Sequence, residues 1–160
     1  MSGKKTLRDH VQYLLDPGGA HIGFKQAIEQ FPFELAGKRI PNLAHTTWYL
    51  VYHLWVCQWD ILDFSTNPKY EYRNYPQDYW PKEDAPPSEE EWNKTIKSFN
   101  SELESLKKLV ADEKNDLFEA FAWGSGQTLL REALLVADHN SYHVGQLVDM
   151  CKLLEVPVKD

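Results

Sequence analysis

His139 and His143 stand four residues apart in the stretch DHNSYHVGQ, residues 138–146, within a longer run of helical periodicity. On an α-helix, side chains at i and i+4 lie one above the other on the same face. Two imidazoles placed in this way can close on a single divalent cation. His53, in a second apolar segment, offers a third ligand. Two histidines from one helix and one from another would make a His₃ site with open coordination positions, and an open position separates reactive metal sites from closed structural ones. Asp60 and Glu132 are candidate acceptors for the outward N–H groups of such ligands. The same residues also fit a second reading, in which the histidines are hydrogen-bonded interior groups that hold no ion. Three imidazoles suit zinc, nickel, copper and iron alike, so the residues do not name a metal.

The other reactive side chains are less informative. His45 lies off the helical stripe of His53, and His10 belongs to the surface of a first helix. The Gly18-Gly19 turn leaves the position of His21 undetermined, so it is not counted among the ligands. Ser141 has no base and orienting group arranged around it in sequence, which leaves no case for a serine nucleophile. Gly124-Ser125-Gly126 follows no predicted strand and reads as a hinge, not a phosphate loop.

The elements that must position the triad follow from periodicity. Residues 6–15 predict a short helix that stops at Asp16-Pro17-Gly18-Gly19. Residues 21–31 show broadly helical spacing before Pro32. Residues 42–64 form a long element that is apolar nearly all round, as in the centre of a bundle. Its one polar stripe carries Thr46, Tyr49, His53, Cys57 and Asp60. Residues 65–87 contain five prolines and the aromatics Tyr70, Tyr72, Tyr75, Tyr79 and Trp80. That composition excludes a long helix and predicts an ordered loop, a candidate lid or wall. Ser88 to Glu91 reads as a capping box opening a one-sided amphipathic helix. Thr128 is the N-cap expected for the last helix, which carries both histidines and runs to about Leu154. No alternating strand pattern is present. The expected fold is all-α, an antiparallel four-helix bundle forming a single domain over residues 1–160.

Composition bounds the function from outside. The chain has 160 residues, 42% hydrophobic and 26% charged, with a net charge of −7. Its size allows a core without staples, and its acidic balance gives no footprint for nucleic acid or an anionic membrane surface. No apolar run approaches the roughly 20 residues of a membrane span. No apolar stretch follows the lysines near the N-terminus, so none reads as a signal peptide. Cys57 and Cys151 lie far apart in apolar segments and are expected as buried thiols in a reducing, cytoplasmic setting.

The segment WYLVYHLWVCQWDILDF at residues 48–64, followed by Asp78-Tyr79-Trp80-Pro81 and by GQTLLREALLVADHNSYHVGQLV, resembles the DinB-like superfamily, the DinB/YfiT four-helix bundles. The resemblance covers about residues 20–154, and its most specific parts are the histidine at position 53 and the HNxYHxGQ pattern. It implies that His53, His139 and His143 bind a divalent metal, zinc or nickel. Some relatives in that superfamily are metal-dependent transferases or isomerases that use low-molecular-weight thiols such as bacillithiol or mycothiol. Two expectations stay open. One is an enzyme that transfers a thiol to, or hydrolyses, a small molecule. The other is a non-catalytic, stress-associated metal-binding or dimerisation module. A homodimer is expected in either case, with no nucleic-acid or membrane partner.

Overall fold

The computed structural model describes residues 3–16 and 20–158 and is all-helical over them, with five α-helices and no strand. The helices are α1 (Gly3–Leu15), α2 (Phe24–Ile28), α3 (Thr47–Thr66), α4 (Glu89–Ala111) and α5 (Leu129–Leu153), with 3₁₀ turns at Phe33–Leu35 and Gln77–Tyr79. The Pro17-Gly18-Gly19 break lies outside the described residues. The helical spacing over 21–31 yields only the five-residue α2. It opens after Gly23, whose N–H donates to the Gln26 side chain at 2.8 Å, and the chain turns away before Pro32.

The three long helices begin where their caps dictate. Thr46 Oγ1 accepts the Tyr49 N–H at 3.3 Å, Ser88 Oγ accepts that of Glu91 at 3.1 Å, and Thr128 Oγ1 accepts that of Arg131 at 3.2 Å. Each satisfies one of the donors that a helix start leaves without a partner. Thr46 therefore starts α3, several residues later than periodicity suggests, and Asn42 in the preceding turn takes a left-handed φ of 67°.

α3 packs against both α4 and α5, and α1 packs against α4 and α5. Two apolar clusters divide the interior. The first gathers Trp48, Leu50, Val51 and Leu54 of α3 with Trp92 and Phe99 of α4 and Val144, Leu147 and Met150 of α5. The second gathers Val11 and Leu15 of α1 with Leu106 and Val110 of α4 and Leu129, Ala133 and Val136 of α5. α5 therefore passes from the second cluster to the first while α3 and α4 pass from the first towards the second. Contacts agree: Trp48 meets Trp92 and Trp55 meets Glu102, whereas Thr47 meets Met150. α3 and α4 run in the same direction, so these contacts depart from the uniformly antiparallel packing expected from the sequence. The reason lies in the connection. The 20 residues of α3 span about 30 Å, and residues 67–88 form an extended segment long enough to return over that distance.

A buried polar layer lies between the two clusters. Gln58 donates to the Phe99 carbonyl at 2.7 Å and accepts from Asn140 at 3.0 Å, tying α3, α4 and α5 together at mid-height. At the far end of α4, the buried Arg8 donates to the carbonyls of Val110 and Asn115 and closes the C-terminus of that helix.

The return segment is fastened at its end. Asp84 pairs with Arg39, its carbonyl accepts from Thr46 at 2.6 Å, and Ala85 rests on Gly37 so closely that a Cβ there would stand 2.4 Å from the alanine Cβ. Gly37→Ala should therefore destabilise the protein by about 1–3 kcal/mol, the cost of overpacking against backbone. Gly145, inside α5, has open space where a Cβ would go. Gly145→Ala should stabilise by about 0.5–1 kcal/mol. Paired urea melts of the two variants check both signs.

Candidate metal centre

His53 projects from the middle of α3, and His139 and His143 from successive turns of α5, at the level of the polar layer. The three rings meet. Their centroids are 5.1 Å (53–139), 4.9 Å (53–143) and 4.6 Å (139–143) apart, and one nitrogen from each lies within 4.8 Å of the others. His53 and His143 are buried and His139 is half-buried. All three residues expected from the sequence are brought to one place, from positions 86 residues apart in the chain.

Hydrogen bonds fix which nitrogens face inwards. His53 Nδ1 lies 3.0 Å from the Tyr79 carbonyl, which can only accept, so Nδ1 carries the proton and Nε2 presents a lone pair. His143 Nδ1 lies 2.7 Å from Gln146 Oε1, which likewise leaves Nε2 free. His53 Nε2 and His139 Nε2 then stand 3.2 Å apart. Two imidazole nitrogens sharing an ion at 2.0–2.1 Å each, at tetrahedral to right angles, are roughly 2.8–3.4 Å from one another. This pair is spaced as two ligands of one divalent cation, and a nitrogen of His143 lies within 4.8 Å of both.

Electrostatics keep the site in the ligating form. Burial lowers the pKa of His53 and of His139 to about 4, and the neighbouring imidazoles push each in the same direction. Burial also lowers that of His143, against the favourable bond to Gln146. Three neutral rings are therefore held together at neutral pH, with lone pairs available to a cation. Cys57 lies beside His53, Sγ 3.5 Å from Nδ1, but burial and then Asp60 push its thiol up to about 12. It remains protonated and lies outside the ligand cluster. Cys151 is the buried thiol that its apolar setting implies, whereas Cys57 is only half-buried.

The return segment walls the site, as its composition suggests. Trp80 lies flat on His53, centroids 3.8 Å apart and planes within 2°, and its indole also stacks on His45 at 4.6 Å. Asp60 holds this wall. It accepts from Tyr79 Oη at 2.7 Å and Tyr70 Oη at 3.0 Å, with Arg73 Nε 3.5 Å away, while the Arg73 guanidinium lies over Trp59. The two carboxylates expected to accept from the imidazoles do neither directly. Asp60 acts one residue removed, by fixing the tyrosine whose peptide carbonyl meets His53. Glu132 is buried against the Arg131 guanidinium at 2.8 Å and serves α5 itself. The acceptors that sequence did not assign are the Tyr79 carbonyl and Gln146. The second has a legible signal, one turn beyond His143 on the same face. The first has none, because a backbone carbonyl carries no residue type.

His21 sits outside the cluster. Its Nε2 lies 3.2 Å from Ser141 Oγ and its Nδ1 2.8 Å from the Ile22 carbonyl. Ser141 itself donates to the Ala137 carbonyl at 2.7 Å, and a mid-helix serine has no free backbone N–H nearby to stabilise an oxyanion. The pair fastens the chain before α2 onto α5. No protein-family model, curated protein or solved structure matches this chain.

Two outcomes follow from the geometry. Asp60→Asn should weaken zinc binding by about 10–100-fold through the loosened Tyr79 carbonyl. Glu132→Gln should leave it within about threefold, and competition with a chromogenic chelator distinguishes the two. In metal-free protein, depressed imidazole pKa values mean that the unfolded chain binds protons between about pH 6.5 and 4 that the folded chain does not, so stability falls as pH falls through that window. Glu102, raised to about 7 by burial, and Glu132, also raised, act in the opposite sense. The difference between wild type and His139→Gln isolates the imidazole contribution. Thermal melts in chelator should show the variant losing less stability than wild type as pH falls from about 6.5 to 4.

Proposed function

We propose that this chain is a divalent-metal-binding protein of the DinB-like kind, with zinc or nickel held by His53, His139 and His143. The observation that carries the reading is the inward convergence of three neutral imidazoles, two of which, His53 and His143, have their outward N–H groups already engaged. The quoted motifs around residues 48–64 and 138–146 support the family assignment, and the packing of α1, α3, α4 and α5 supports a four-helix bundle in which α3 and α5 are antiparallel. No helix among the described residues is long and apolar enough to cross a membrane.

A three-ligand site with open positions suits reaction more than structure. A divalent cation there supplies Lewis acidity to a thiol or water. The protein's own part is to keep the rings neutral and oriented, to cover one face of His53 with the Trp80 indole, and to hold that cover with Asp60. Transfer of a low-molecular-weight thiol to a small electrophile, or hydrolysis of a small molecule, is the activity this arrangement favours. A second reading, a stress-associated metal-binding module that pairs as a homodimer without catalysis, draws on the exposed aromatics Tyr72, Tyr75 and Tyr142. Surfaces rich in exposed tyrosine favour association.

Elemental analysis of untagged protein should find about one zinc or nickel per chain, lost in His143→Ala while the far-ultraviolet dichroism is retained. Metal retained at full stoichiometry in that variant, or none in wild type after loading, would remove the triad. Turnover of a thiol with a chloro-dinitroaromatic electrophile, dependent on the same metal, then separates the enzyme from the module.

A further inference from the structure

Beyond His143 the same face of α5 continues through Gln146, Met150 and Leu153, at offsets of three, seven and ten residues. These side chains form one wall of a groove of about 490 Å³ whose opposite wall is Leu43, His45 and Leu50, at and before the start of α3. That volume is within the usual range for small-molecule sites.

None of the three histidines lines the groove, but at one end its walls hold residues that contact the triad or its cover. Gln146, in its wall, accepts from His143, and His45, in the facing wall, stacks on the indole that covers His53. Leu43, Leu50, Met150 and Leu153 are apolar, and the remaining polar pair, Asp149 with Lys152 at 3.6 Å, is strongly exposed and self-compensating. The buried Nδ1 of His45 has no hydrogen-bond partner. From Gln146 to Leu153 the helix rises about 10 Å, the length of a medium aliphatic chain.

Resting on the metal reading above, we propose that this groove is the substrate's tail site, and that the substrate class is an amphiphile: a medium-length aliphatic chain ending in a head that ligates a divalent cation. The head meets the triad beside Gln146 and His45, and the chain lies between Leu43 and Leu153. The charge-neutral rim gives no reason to place a second ionic group at the far end.

Aliphatic hydroxamic acids of increasing length test this, titrated calorimetrically into zinc-loaded protein. Affinity should climb about fourfold for each methylene that enters the groove, from acetohydroxamate to octanohydroxamate. Leu43 is 38% and Leu153 59% exposed, so exchanging them does not threaten the core. In Leu43→Ser/Leu153→Ser the octano-to-aceto affinity ratio should fall at least tenfold. Hydroxamates that bind with no dependence on length would overturn the tail site and leave the metal reading standing. An unchanged ratio in the double variant would place the chain elsewhere and also overturn it. Zinc that is never retained would remove the metal reading and this inference together. A wild-type dimer that the double variant converts to monomer by sedimentation, with no length dependence, would make the groove an interface between copies.

Discussion

Desolvation of three imidazoles at one point is the constraint on which this molecule is arranged. A buried neutral imidazole has one donor and one acceptor, and each must be answered or the group destabilises the fold. The outward donors of His53 and His143 are answered by a loop carbonyl and by a helical amide. The inward nitrogens of His53 and His139 face each other at 3.2 Å, a spacing that a shared proton or a shared cation satisfies. The two apolar clusters on either side of the polar layer exclude water, which lowers the imidazole pKa values and strengthens any charge interaction within.

α5 is the element with the most roles. Successive turns of one face supply a ridge into the second apolar cluster, two imidazoles, the amide that orients one of them, and the apolar wall that follows. A single rigid helix thereby sets the spacing between head-binding and tail-binding groups, with no loop between them to relax. The loop elements act differently. The segment from 67 to 88 has little helical structure and relies on Asp60, Arg39 and Gly37 to fasten it at both ends. Through the Tyr79 carbonyl and the Trp80 indole it closes the His53 side of the site. Precision comes from the helix and closure from the strap.

Much of this was legible in the sequence for identifiable reasons. The triad could be read because helical spacing converts position into direction, and because a polar stripe on an otherwise apolar helix needs a purpose. Thr128 and Ser88 announced their helices through local hydrogen bonds that depend on neighbours only. The start of α3 at Thr46 was missed because apolar residues ahead of it continue the pattern without continuing the backbone. The role of Asp60 was half seen: its stripe was right, but its partners come from a loop whose path no periodicity encodes. The shared direction of α3 and α4 was latent in the length of their connection, since helices that turn back on themselves need only a short one.

His53 and His139 stand 86 residues apart, and α5 follows α3 and α4 in the chain. The second and third ligands therefore arrive only after α1, α3 and α4 have been made and α5 has docked against them. A growing chain could present His53 alone, which is a weak and unselective ligand. Acquisition of a cation is thus tied to completion of the fold, and any ion held there favours the assembled state by mass action. The separation in sequence makes the site depend on the packing of α5 against α3, and not on either helix alone.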